Sequence, residues 1–339
     1  MTPRSSQAWV EERTSGPVIA ITTPQERRFP QGMYLRLSLT DRCNLRCTYC
    51  LPEHARFAPE RAATAELLRL TELVAEVADV RKIRLTGGEP TLHPELVAIT
   101  ARCADLVGEQ LGLTSNGLVL EPLLPALHRA GLRRLNISLD AVDEAGFRRS
   151  TRRDGVNRVI AAIRAARDLG FAPLKVNAVA QRGIDAAGLV RFATRESVHL
   201  RFIELMAIGV ARGQHAVRWL GAAELREELW QDGISLDERQ DLDEPTSRVW
   251  SLPGIPAERC SIGFITTSSD PFCATCNRLR LTSQGRLHTC LFDQHGVDLL
   301  RDLRRGDEGA VREAIALAVA AKAPPPRFIT TQIMAGIGG

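Results

Sequence analysis

The chain has 339 residues, enough for a large barrel with an appended unit. Apolar residues make up 44% and charged residues 25%, the profile of a globular protein, and no apolar run is long enough to span a bilayer. Lys and Arg number 44 against 40 Asp and Glu, a formal charge of +4, which is too mild to argue for a nucleic-acid or membrane partner. Positive charge can matter here only where it is concentrated.

Residues 1–32 form an N-terminal extension whose one apolar stretch, Pro17 to Thr22, is too short for a signal-peptide core, so a cytoplasmic protein is expected. From residue 33 the sequence alternates strand-like and helix-like segments. The strand candidates are residues 34–40, 82–87, 112–116, 134–140, 174–180 and 200–206. Amphipathic stretches at 65–80, 95–107, 155–169 and 185–194 lie between them. This rhythm predicts an α/β fold, an incomplete (β/α)6 TIM-type barrel over residues 33–215.

The strands share an unusual pattern. Leu35, Leu37 and Leu39 alternate with Arg36 and Ser38, and Ile83 and Leu85 alternate with Lys82, Arg84 and Thr86. Leu135 and Ile137 oppose Asn136 and Ser138, and Leu174 and Val176 oppose Lys175 and Asn177. A parallel strand covered on both faces is normally apolar throughout. The polar face is therefore expected to line a wet or ligand-filled lumen. Beyond residue 215 the rhythm changes. Residues 219–250 read as acidic and loop-rich, and a helical stretch covers 300–321. Residues 216–328 form a C-terminal Cys-cluster domain, and the uncharged tail 329–339 closes on Gly338-Gly339.

Six of the eight cysteines fall into two sets, Cys43, Cys47, Cys50 and Cys273, Cys276, Cys290. Such spacing in a reducing compartment points to metal before disulfides. Three thiolates can hold three irons of a cubane and leave the fourth open to a substrate. A structural zinc is the competing reading, with His54 as fourth ligand at the first set and His288 at the second. Asn277-Arg278-Leu279-Arg280 follows the second CxxC, and alternating arginines beside a metal suit an anion such as phosphate. Cys103 reads as a buried helix cysteine, while Cys260 and His93 have no assigned role.

Cys43-Asn-Leu-Arg-Cys47-Thr-Tyr-Cys50 after the first strand, with Thr86-Gly87-Gly88-Glu89-Pro90 after the second, resembles the radical S-adenosylmethionine superfamily. Active sites of such barrels lie at the carboxyl ends of the strands, where both motifs fall. Arg36-Leu-Ser-Leu-Thr-Asp-Arg-Cys43, Thr114-Ser-Asn-Gly117, Leu135-Asn-Ile-Ser-Leu-Asp140, Lys175-Val-Asn177, Arg201-Phe-Ile-Glu-Leu-Met206, the second cysteine set and the terminal Gly-Gly narrow the resemblance. They are similar to the GTP 3′,8-cyclase family of molybdenum cofactor biosynthesis.

The resemblance implies two 4Fe–4S clusters, S-adenosyl-L-methionine as cofactor and GTP as substrate. Cys43, Cys47 and Cys50, with Arg278 and Arg280, would be catalytic. Tyr49, Gly88, Ser138 and Met206 would contact S-adenosylmethionine. Arg36, Arg84, Thr114, Lys175, Arg278, Leu279 and Arg280 would contact GTP. The resemblance also implies cyclic pyranopterin monophosphate synthase as the downstream enzyme. An electron donor and a homodimeric second copy are the remaining partner expectations. Two features depart from the family pattern, Thr91-Leu92-His93 after the Gly-Gly-Glu-Pro turn and Ala207 after Met206. A peptide maturase with two clusters and a zinc-stabilised nucleotide-binding protein are the alternatives. A chain end usually frays, but the uncharged, partly apolar tail suits insertion into a site, and the resemblance places it in the active site, where it is expected to help complete the GTP site.

Overall fold

A computed structural model describes residues 29, 31–239, 246–325 and 328–338. Nearly all of the N-terminal extension and Gly339 of the tail lie outside the described residues. Six parallel strands form the core of the sheet: β1 (Met33–Ser38), β2 (Val80–Thr86), β3 (Leu111–Ser115), β4 (Arg134–Ser138), β5 (Leu174–Ala180) and β6 (His199–Glu204). They are followed by β7 (Ala207–Ile208), β8 (Asp237–Arg239), β9 (Arg248–Ser251) and β10 (Ile262–Ile265). The last strands are β11 (Arg278–Leu281), β12 (Arg286–His288), β13 (Val297–Asp298) and β14 (Ile329–Thr330).

The strand order in the main sheet is β13-β12-β11-β1-β2-β3-β4-β5-β6-β10-β9-β8. The C-terminal region therefore extends both edges of the six-stranded core. β11 joins β1 in parallel, and β10 joins β6 in parallel. β8, β9, β12 and β13 turn antiparallel outside them, and β14 pairs with β7 in a separate two-stranded sheet. Within the described residues β10 and β11 do not pair, so the barrel is incomplete.

Leucine-rich strand faces and helix faces bury one continuous core, including Leu35, Leu37, Ile83, Leu85, Val159 and Phe202. Asp143, Asp185 and Asp307 cap the helices Glu144–Thr151, Ala186–Glu196 and Glu308–Ala320, each accepting from a backbone N–H three residues on. The helix Thr64–Val77 starts with a Glu66 carboxylate accepting from Ala63 N at 2.7 Å.

The region expected to be loop-rich contains the helix Ala222–Gln231 and the strands β8 and β9. Ala222, Leu225 and Leu229 are buried on one face of that helix, a 3.6-residue period hidden among acidic neighbours. The helical stretch 300–321 is two helices, Leu300–Arg304 and Glu308–Ala320, interrupted at Gly306, whose φ of 75° lies in the left-handed region that favours glycine. All eight cysteines are free thiols, so disulfides play no part. No helix among the described residues is long and apolar enough to cross a membrane.

Candidate active site

Strand register decides which side chains meet inside the sheet. It places Arg280, Arg36 and Arg84 side by side on β11, β1 and β2. Gly112 comes next on β3, in register with Arg84, and a Cβ there would lie 2.9 Å from Arg84 Nη2. The missing side chain lets Arg84 lie across β3. Its Nη1 donates to the Leu113 carbonyl at 3.1 Å and its Nε to the Tyr34 hydroxyl at 2.6 Å. Gly263 on β10 serves Arg201 on β6 in the same way, because a Cβ there would collide with Arg201 Cδ.

These strands enclose a cavity of about 720 Å³. All six cysteines of the two sets line it. So do Tyr49, Gly88, Ser138 and Met206. Arg36, Arg84, Thr114, Lys175, Arg278 and Arg280 line the same space. Leu279 does not. Alternation on β11 turns its side chain into the apolar core, fully buried, so it cannot offer a side-chain contact to a ligand in the lumen. Thr114 Oγ1, Asn177 Oδ1 and Arg278 Nε are buried with no hydrogen-bond partner among the described residues. A polar ligand would satisfy them.

The first cysteine set sits in the loop after β1. Thr48 N donates to the Ser150 carbonyl at 2.9 Å and Arg46 N to the Thr151 carbonyl at 3.0 Å, tying the loop to the helix Glu144–Thr151. Gly88 N and Glu89 N donate to the Thr40 and Arg42 carbonyls at 2.6 and 2.7 Å. A Cβ on Gly88 would collide with the Arg42 carbonyl, so this glycine seals the end of β2 against the cysteine loop. N–H groups point at Cys43 Sγ from Leu45, at 3.4 Å, and from the Asn116 amide, at 3.8 Å. Burial pushes the thiols up, Cys43 to about 11 and Cys50 to about 12. Thiolates here need a cationic partner such as iron.

At the second set, the antiparallel β11–β12 hairpin closes the gap between Cys276 and Cys290. Phe292 N donates to Cys290 Sγ at 3.4 Å. Burial raises the Cys276 thiol, but Lys322, Arg278 and Arg280 outweigh it and leave the thiol below its usual range. The zinc readings lose their fourth ligands. His54 is exposed and does not line the cavity, and His288 lines a separate pocket. Among the described residues no three His, Cys, Asp or Glu side chains converge as the ligands of one ion do. Thiols spread around a cavity suit a cluster that takes one thiolate per iron.

The tail is docked, not frayed. β14 pairs in parallel with β7, Ile329 opposite Ala207 and Thr330 opposite Ile208. The Gly338 carbonyl accepts from Arg36 Nε at 3.3 Å and from Arg280 Nη1. Gly338 has φ 71°, and its Cα lies against Ser38 and Thr86, where a Cβ would come within 3.1 and 3.2 Å of their side chains.

A radical SAM superfamily profile matches residues 37–194, and a Molybdenum Cofactor Synthesis C profile matches residues 198–327. A GTP 3′,8-cyclase of Pseudomonas entomophila is 42% identical over 294 residues, 83% of this chain and 86% of that protein. GTP 3′,8-cyclase 1 of Pseudomonas aeruginosa is 41% identical over 296 residues, 85% of this chain and 89% of its own length. The chain belongs to the GTP 3′,8-cyclase family. Human molybdenum cofactor biosynthesis protein 1 is 38% identical over 283 residues, 81% of this chain and 44% of the human protein. Streptococcus suis SuiB, in a crystal structure bound to the precursor peptide SuiA, shares the fold at 14% identity. Its TM-score is 0.57, over 86% of this chain and 71% of SuiB.

In this member of the GTP 3′,8-cyclase family the departures from the usual pattern have local roles. Thr91 donates to Glu89 through its backbone N at 3.0 Å and its hydroxyl at 2.6 Å, and His93 Nδ1 accepts from Glu95 N at 3.2 Å. Ala207 opens β7, where the tail docks. Cys103 and Cys260 are buried in the core, away from the cavity.

Three carboxylates, the buried Glu89 and Glu204 and the half-buried Asp140, escaped the sequence reading. Glu89 accepts from Ser115 Oγ at 2.8 Å and Asn116 N at 2.7 Å as well as from Thr91, joining the ends of β2 and β3. Asp140 accepts from Tyr49 OH at 2.8 Å, Ser150 Oγ at 2.6 Å and Val179 N at 2.9 Å. Glu204 accepts from Ser268 N and Ser269 N, both at 2.9 Å, and steadies the loop before the second cysteine set. Each ends or follows a strand in a quoted motif, which was the signal available, but their partners are remote in sequence. Arg201 was also missed, although strand alternation beginning at His199 points it into the cavity.

Proposed function

We propose that each cysteine set holds a 4Fe–4S cluster and that the cationic lumen they share receives GTP. The chain is a radical S-adenosylmethionine enzyme that converts GTP to (8S)-3′,8-cyclo-7,8-dihydroguanosine 5′-triphosphate, the first step of molybdenum cofactor biosynthesis. One observation carries the residue assignment: both cysteine sets and the register-aligned arginines Arg280, Arg36 and Arg84 open into one cavity. A 4Fe–4S cluster on Cys43, Cys47 and Cys50, with S-adenosylmethionine, supplies the one-electron chemistry that removes the C3′ hydrogen atom of GTP.

The chain's own residues do the rest. Arg36, Arg84, Lys175 and Arg278 neutralise the triphosphate, and Thr114 and Asn177 offer their unpaired oxygens to the nucleoside. The Gly338 carbonyl holds Arg36 and Arg280 in place, so their charge is preorganised before substrate arrives. Cys273, Cys276 and Cys290 would leave one iron of the second cluster open to the guanine. The sheet wall around the cavity positions the reacting carbons. The product passes to cyclic pyranopterin monophosphate synthase, and a low-potential one-electron donor completes the cycle.

The test is anaerobic incubation of the reconstituted enzyme with S-adenosylmethionine, reductant and GTP. Wild type should yield both 5′-deoxyadenosine and the cyclised triphosphate. Cys276→Ala should still yield 5′-deoxyadenosine while cyclised product is lost. Full-rate cyclisation by Cys276→Ala would remove the second cluster from the substrate site.

Tyr34 adds a pH dependence. Burial alone would raise its phenol, but Arg84, Arg36, Lys82 and Arg278 outweigh that and bring it down to about 7. Above that pH the residue is a phenolate among cations, and an incoming triphosphate favours its protonated form. Binding is then coupled to proton uptake, so affinity falls as pH rises, by at most about tenfold per pH unit. Tyr34→Phe should bind GTP with a flatter profile from about pH 7 to 9. The titration of GTP itself cancels in that comparison, and identical profiles for the two proteins would rule out the coupling.

A further inference from the structure

Lys322 belongs to none of the motifs, yet it is only 4% exposed. It follows the helix Glu308–Ala320, and its Nζ donates to the Arg278 carbonyl at 2.9 Å and to the Thr289 carbonyl. Arg278 lies two residues beyond Cys276, and Thr289 immediately precedes Cys290. One ammonium thus fastens together the two limbs that carry these cysteines. Metal-bound thiolates at Cys276 and Cys290 would be anionic, and an ammonium bonded to the carbonyls beside both would attract them.

We infer that Lys322 is a positioning residue of the second cysteine site, clamping the Cys276 and Cys290 limbs and holding a positive charge against the cluster they bind. This rests on the second-cluster reading above. Two consequences follow from the two parts of the assignment. Loss of the clamp lowers cluster retention. Loss of the charge makes the cluster harder to reduce, since net charge and hydrogen bonding around the sulfurs set its potential.

The experiment uses the full chain with Cys43, Cys47 and Cys50 replaced by Ala, reconstituted anaerobically with iron and sulfide, so that only the second site can hold a cluster. Iron per chain is measured, and the reduction midpoint is read by electron paramagnetic resonance during redox titration. Adding Lys322→Met should lower bound iron severalfold and move the midpoint of the remaining cluster to more negative potential. Lys322→Gln, which keeps a donor without the charge, should shift the midpoint the same way while retaining more iron, and Lys322→Arg should restore the midpoint. If Lys322→Met fails to fold, as judged by far-ultraviolet circular dichroism, the Lys322→Gln midpoint decides. Wild-type iron content and midpoint in the uncharged variants would overturn the assignment. If the Cys43, Cys47, Cys50 background binds no more iron than the same chain carrying Cys276→Ala, the second-cluster reading fails, and the role of Lys322 falls with it.

Discussion

Replacing Cys47 with alanine is expected to reduce 5′-deoxyadenosine formation to background, with Cys43→Ala and Cys50→Ala behaving alike. A cubane that must keep one iron open has three thiolates to rely on, and losing one either frees the cluster or changes which iron is open. Among the described residues, the two nearest candidates offer no substitute. His54 is exposed outside the cavity, and Asp140 is already engaged by Tyr49, Ser150 and Val179. The fold should survive, because the loop is tied down by backbone bonds to the Ser150 and Thr151 carbonyls that do not involve sulfur. The measurement is 5′-deoxyadenosine by chromatography after anaerobic reduction, beside a thermal melt. Cleavage by Cys47→Ala at the wild-type rate would refute the role of this cysteine set.

Deleting Gly338 and Gly339 is expected to cost most of the cyclised product while sparing 5′-deoxyadenosine formation and both iron sites. The deletion removes the carbonyl that accepts from Arg36 and Arg280. Each such bond to a charged group is worth about 1.5–3 kcal/mol, so losing both predicts a fall of at least about tenfold. The remaining tail should stay docked through the β14–β7 pairing, which lies upstream of the cut. Burial and the neighbouring Arg36 and Arg278 already work against the charge on Arg280, and without Gly338 its Nη1 is left with the longer bond to the Ile337 carbonyl at 3.3 Å. Product analysis with quantified 5′-deoxyadenosine separates this from a radical-generation defect. Full-rate cyclisation by the truncated chain would reduce the tail to a packing element.

The six core strands, most of the helices and the polar lumen face were readable because they depend on local patterning. Period-two alternation on strands such as 174–180 assigns every side chain to a face before any contact is known. The cysteine sets were readable because metal ligation compresses chemistry into short spacing. The tertiary structure decided everything that depends on register or remote pairing. It showed that β10 and β11 extend the core sheet, because edge strands carry unpaired backbone groups that another segment can satisfy. It separated Arg280 from Leu279, one lining the cavity and the other packed in the core. It matched Gly112 to Arg84 and Gly263 to Arg201, pairs set by strand register and invisible in either segment alone. It also docked a tail whose place at a chain end argued for fraying and whose uncharged, partly apolar composition argued for insertion. The physical reason is the same in each case: alternation and ligand spacing are properties of a few consecutive residues, whereas a hydrogen bond from Arg36 to Gly338 spans 302 positions and exists only once the sheet has formed.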